Sequence, residues 1–116
     1  MLISSATHTQ ALELIETEFA TPDFANTSEF LRDRPDIADI LLSARTVIPR
    51  YFREGTLITL RMQDDPDDNR QYIAAYIQTS LETGDAFDRL HQLIDDWWLD
   101  ASGGLREDVL LSLDLV

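Results

Sequence analysis

"TLITLRMQDDPDDNRQYIAAYIQTS", residues 56–80, holds two runs of strand-type residues on either side of a knot of aspartates. In the first run Ile58, Leu60 and Met62 alternate with Thr59, Arg61 and Gln63. In the second, Ile73, Ala75 and Ile77 alternate with Tyr72, Ala74 and Tyr76. A period of two marks a strand with one face on a core. So short a connection makes the two strands antiparallel, because a parallel return needs a crossover of about a dozen residues or more. The stretch therefore reads as a β-hairpin, and the rest of the chain must pack against it. The polar-side tyrosines, beside Thr59 and Arg61, form either a binding surface away from the helices or a second packing face beneath them.

The knot invites a chemical reading. Asp65, Asp67 and Asn69 spell D-x-D-x-N, the opening of a calcium loop. Such a loop needs glycine at its sixth position and a bidentate acid at its twelfth. Counting from Asp65, those positions hold Arg70 and Tyr76, and the flanks are strands instead of helices. That motif is excluded. The expected reading is a solvated turn, since Asp, Pro and Asn form turns and charge guards a hairpin against edge-to-edge pairing. A looser cation site built from Asp64, Asp65, Asp67 and Asp68 is the alternative, although successive carboxylates on a flexible loop are not preorganised.

Helical patterns flank the hairpin. Residues 9–20 place Leu12, Ile15 and Phe19 at helical spacing with Thr9 as cap, and residues 1–9 are expected to be flexible. Pro22 and Asn26 interrupt the pattern, and Ser28 reads as the cap of a short helical turn. In residues 34–52 Pro35 suits a first helical position, and Asp36 and Asp39 suit the positive end of a helix dipole. Ile37, Ile40, Leu41, Ala44 and Ile48 form its apolar stripe, which Pro49 should end or kink. A second strong helix starts at Thr83 or Asp85 and stops before Gly103 and Gly104, with Phe87, Leu90, Ile94 and Trp97 as its stripe. The last strand, 108–116, aligns Val109, Leu111, Leu113 and Leu115 on one face.

The order helix, helix, strand, strand, helix, strand predicts one α+β domain over residues 1–116. A small, mostly antiparallel sheet with strand order 2-1-3 and the helices on one face is preferred. Order 1-2-3, with the last strand parallel to the second, stays open.

Composition narrows the function classes. With 116 residues and 44% hydrophobic content the chain suits a single globular domain and not a disordered one. Cysteine is absent, which removes disulfides, thiolate metal sites and cysteine nucleophiles. The start lacks a signal pattern and no segment is apolar enough for a membrane span, so a cytoplasmic protein is expected. Twenty-two acids face nine bases, all arginine, for a net charge of −13. That charge repels phosphate backbones and favours a basic protein partner; codon bias or salt adaptation would produce the same acidity.

Candidate sites are few. Trp97 and Trp98 are adjacent and point about 100° apart on a helix. Trp97 lies on the expected stripe and Trp98 at its edge, amid Asp95, Asp96 and Asp100. The first expectation is that both tryptophans pack against the sheet beneath the last strand; the other is a partner anchor, since a tryptophan with an acidic rim suits a basic protein surface. His91 and Asp95, four apart, can meet on a helix as a metal or general-base fragment, but no further ligand or nucleophile is evident. No nucleophile-elbow or phosphate-loop motif occurs.

Arg50, Tyr51 and Phe52 end one helix, Asp65 and Pro66 sit at the hairpin tip, and Trp97, Trp98, Leu99 and Asp100 precede the last strand. With these the last two-thirds of the chain resembles a group of small bacterial proteins of unassigned function. The resemblance implies the fold outline and no active site.

The expectation is a non-enzymatic acidic regulatory or accessory protein that binds a basic protein, as would the antitoxin-like half of a bacterial gene pair. Asp95, Asp96, Trp98 and Asp100 are its expected contact residues. No cofactor, no nucleic acid and no membrane are expected, and self-association stays open. The alternative is a divalent-cation-dependent enzyme using the hairpin aspartates or His91 with Asp95.

Overall fold

The computed structural model describes residues 2–116, with side chains from residue 8 onward. Three helices precede the sheet: α1 (Leu2–Glu18), α2 (Phe24–Arg32) and α3 (Pro35–Val47). A 3₁₀ turn, Ile48–Arg50, follows α3 where Pro49 withholds an amide from the helix. The sheet comprises β1 (Ile58–Asp65), β2 (Arg70–Thr79) and β3 (Val109–Leu115). Between the last two strands run α4 (Thr83–Leu93), a π-helical turn (Ile94–Trp98) and α5 (Leu99–Ser102). Among the described residues no helix is long and apolar enough to cross a membrane. The architecture is α+β, in the element order the sequence predicts.

One face of the sheet carries Ile58, Leu60, Ile73, Ala75, Ile77, Val109 and Leu111, all buried in one cluster with helix side chains. Every member of the α3 stripe, Ile37, Ile40, Leu41, Ala44 and Ile48, enters that cluster. Ile15 of α1, Phe19 just after it and Leu31 of α2 join it. The tyrosine face, by contrast, lies away from the helices: Tyr72, Tyr76 and Ala74 have no place in the cluster.

The sheet order corrects the preferred 2-1-3. The strands run β1-β2-β3, with β1 antiparallel and β3 parallel to β2. The edge of β1 that order 2-1-3 requires is already taken. Ala20 donates its N–H to the Ile58 carbonyl at 2.9 Å and accepts the Leu60 N–H at 2.8 Å. With the start of that edge occupied, the helical connection carries the last strand to the free side of β2 as an ordinary parallel crossover.

Two helix starts also differ from expectation. α1 begins at Leu2, ahead of Thr9. The expectation of a flexible 1–9 segment falls largely on residues whose side chains lie outside those described. His8 sits within α1, and its Nε2 contacts the Leu31 and Arg32 carbonyls at 3.0 and 2.8 Å, at the C-terminal end of α2. α2 starts after Asp23, so Ser28 is a mid-helix residue, bonded to the Ala25 carbonyl, and caps nothing.

Candidate functional site: an acidic helix end beside a tyrosine corner

The segment after α4 differs from the sequence reading in a way that matters for function. Ala86, Leu90, Leu93 and Trp98 are buried, whereas Phe87 is 44% exposed and Trp97 only half-buried. Of the expected stripe, Leu90 is buried and Ile94 and Trp97 pack partly buried against the core, whereas Phe87 lies outside it and Trp98, expected at the edge, is the buried tryptophan. Phe87 falls outside the face of α4 that Ala86, Leu90 and Leu93 bury, and the placement of Trp98 follows from the π-helical turn. From Leu93, a regular α-helix returns to the same face at residues 96 and 97. One extra residue in the turn postpones that return to Trp98. Trp98 fills the core at 5% exposure, and Trp97 lies against it with ring centroids 5.8 Å apart.

Trp98 is thus unavailable as a surface anchor. Asp95, Asp96, Leu99 and Asp100 are exposed around the half-buried Trp97. This helix end is fastened from outside by the corner that follows α3. The Tyr51 hydroxyl donates to Asp96 Oδ2 at 3.1 Å, and Arg89 Nη1 donates to the Tyr51 carbonyl at 3.0 Å. Desolvation of the hydroxyl, and then its bond to Asp96, raises the Tyr51 pKa above the ordinary tyrosine value. Phe52 is buried beside them. The two segments distinctive in sequence, Arg50–Tyr51–Phe52 and Trp97–Trp98–Leu99–Asp100, therefore belong to one corner of the molecule.

His91 does not extend this arrangement into a reactive pair. Its ring lies 6.4 Å from that of Phe87, and no hydrogen bond joins it to Asp95.

The hairpin aspartates are engaged otherwise. Asp65 Oδ1 accepts the backbone N–H of Asp67 at 3.0 Å and of Asp68 at 3.4 Å, an Asx turn that folds the tip. Asn69 takes φ +52°, a left-handed conformation that asparagine tolerates better than most residues. Asp68 pairs with Arg70 at 3.7 Å. Among the described residues, no three His, Asp or Glu side chains gather as a metal-holding group.

Sequence reasoning missed a junction behind the tip. Asp108, just before β3, accepts Arg70 Nη1 at 3.1 Å and Arg34 Nη2 at 3.3 Å. Arg70 Nη2 also donates to the Glu107 carbonyl at 2.6 Å, and Arg34 pairs with Asp36 at 3.3 Å. The Arg34 bond lowers the Asp36 pKa, and the bond to Asp36 raises that of Arg34. These residues tie the start of α3 to the starts of β2 and β3. No spacing in the sequence announces contacts between partners 38 and 74 residues apart.

Comparison with family models, with curated proteins and with solved structures finds none that matches this chain.

Proposed function

We propose that this protein is a non-enzymatic accessory protein that captures a basic protein through the acidic end of its second helical segment. The observation that carries the reading is the exposure of Asp95, Asp96 and Asp100 around half-buried Trp97 and 42%-exposed Leu99, on a helix end anchored by Trp98. An aromatic and an aliphatic side chain rimmed by carboxylates supply what a basic surface needs: apolar contact at the centre and opposite charge at the margin. Trp97 takes the contact role expected of Trp98. A net charge of −13 steers basic proteins toward the molecule and repels nucleic acid. A bacterial antitoxin-like role is the biological form this reading suggests, in keeping with the resemblance to small bacterial proteins.

The alternative, a cation-dependent enzyme, would draw on carboxylates that already have other work: Asp65 holds the turn and Asp68 faces Arg70. Binding is the better-supported class.

The test is affinity capture from the native host, followed by binding measurements with the purified partner. Reversing Asp95 and Asp100 to lysine, with Asp96 left bonded to Tyr51, should weaken capture about tenfold or more and flatten its salt dependence. Undiminished capture by that variant, with the fold intact by circular dichroism, removes this surface from the reading.

A further inference from the structure

The two edges of the sheet are finished differently. The start of the outer edge of β1 is occupied by Ala20, which bonds Ile58 and Leu60. β3 ends the sheet on the other side. Its bonds to β2 include Ile73 N–H to the Asp108 carbonyl at 2.9 Å and Val116 N–H to the Thr79 carbonyl at 3.0 Å. Backbone groups alternate sides along a strand, so even-numbered residues bond β2 while Val109, Leu111, Leu113 and Leu115 aim N–H and C=O away from the sheet. Val109 and Leu111 are 1% and 6% exposed, so the fold shields that half of the edge. Beyond Ser112 it opens: Leu113 is half-buried, and Asp114, Leu115 and Val116 are exposed. Lysine, proline and bulges are missing from this strand, and its one charged guard is Asp114.

An open backbone edge takes a strand, and the surrounding charge selects which strand. α4 runs back from the end of β2 and packs on β3, so its first half lies beside the second half of β3. That half of α4 carries exposed Asp85 and Asp88, Glu82 is exposed just before it, and Asp114 is exposed in the strand itself. Arg53 lies at the same end of the sheet, beside Val116. We infer that the β3 edge from Ser112 to Val116 accepts an extended basic segment of a partner protein as a fourth strand. A lysine or arginine would stand across from Asp114, and apolar residues across from Leu113 and Leu115.

The inference rests on the basic-partner reading above and adds the mode of docking. A second copy of this chain is disfavoured as the occupant. Self-pairing centred on Asp114 sets two carboxylates face to face, and self-pairing centred on Leu113 calls on the shielded groups of Leu111. Each copy also brings a charge of −13.

The test uses the full chain with two synthetic peptides of about six residues, strand length, one alternating valine with lysine and one alternating valine with glutamate. Amide hydrogen exchange is followed by NMR at Leu113 and Leu115. The lysine peptide should slow both amides about tenfold where the glutamate peptide leaves them unchanged. Leu115→Pro removes one outward N–H, leaves the Val116 bond to β2 available, and should abolish the protection at Leu113. Asp114→Lys, a substitution at an exposed position, should weaken the lysine peptide and admit the glutamate one. Lysine-peptide binding that leaves Leu113 and Leu115 unprotected overturns the edge and leaves the basic-partner reading standing. Protection that grows with protein concentration alone assigns the edge to a second copy and overturns the inference, as does absence of lysine-peptide binding. The basic-partner reading fails separately, if affinity capture from the native host yields no basic protein.

Discussion

The hairpin tip and the end of the second helical segment each cluster aspartates within a few residues, yet the fold treats the two clusters in opposite ways. At the tip, Asp65 accepts two backbone amides and Asp68 faces Arg70, which in turn bonds Asp108. At the helix end, Asp95 and Asp100 stand exposed beside Trp97, and Asp96 alone meets a side chain, the Tyr51 hydroxyl. Density of acid residues therefore says little about role. What separates the clusters is the supply of donors: a tight turn points its own amides at a carboxylate, whereas a helix surface has none to offer beyond its first turn. The first cluster shapes the chain, and the second is left for a partner.

The comparison assumes that the helix end is a rigid platform, and Trp98 is what makes it so. Trp98→Ala should cost about 3–5 kcal/mol, a large part of the 5–15 kcal/mol typical of a domain. Trp97→Ala should cost roughly 1–2 kcal/mol, because less of its surface is buried. Urea denaturation of both variants checks the order. Equal losses would mean that the π-helical turn does not select Trp98, and the platform would have to be redrawn.

That turn also marks how far the sequence can be read. The hairpin, the α3 stripe with its leading Pro35 and the α+β class are legible because each depends on local periodicity or on a residue with a strong backbone preference. The choice between Trp97 and Trp98 was not legible: a single extra residue per turn rotates every later side chain, and no composition signals it. Strand order failed for a related reason. It was decided by Ala20, a residue without chemical signature that happens to reach the edge of β1. Of the candidate site, the exposed aspartates were legible from their charge. Their fastening by Tyr51 was not, because it spans 45 residues.

The tip's side of the comparison depends on Asp108, whose carboxylate is 20% exposed and shared by two arginines. Asp108→Ala should cost about 1–2 kcal/mol, between an exposed ion pair and a buried charged network. The loss should shrink at high salt. A loss below the error of the denaturation curve would show that the junction does not hold the starts of α3, β2 and β3 together.

Within the tip the sharper contrast is residue by residue. Asp65→Ala removes the acceptor of two amides and should cost about 1 kcal/mol. Asp67→Ala and, at the helix end, Asp95→Ala remove exposed carboxylates from an acidic surface and should lie within about 0.5 kcal/mol of the parent. Thermal melts of the three variants rank them, and an Asp67 loss equal to that of Asp65 would contradict the Asx turn.

A pH-dependent effect, also small, comes from Asp36, which shares Arg34 with Asp108. Its carboxylate is held below the ordinary value, first by the Arg34 hydrogen bond, with desolvation opposing and the Ile37 amide assisting. A depressed folded pKa means that the ionised form stabilises the fold. That contribution is complete above the unfolded value of about 3.9 and fades as pH falls through the lower folded value. The side chain is 51% exposed, so solvent screening keeps the contribution under about 1 kcal/mol. Asp36→Asn should therefore lower the urea midpoint slightly near neutral pH, and the two proteins should converge once acid has protonated the parent. A gap that persists undiminished in acid would trace the loss to packing or helix capping and not to the charge. A gap absent at neutral pH would mean that Arg34 is spent on Asp108 alone, which would concentrate the whole ion network at the strand starts behind the hairpin tip.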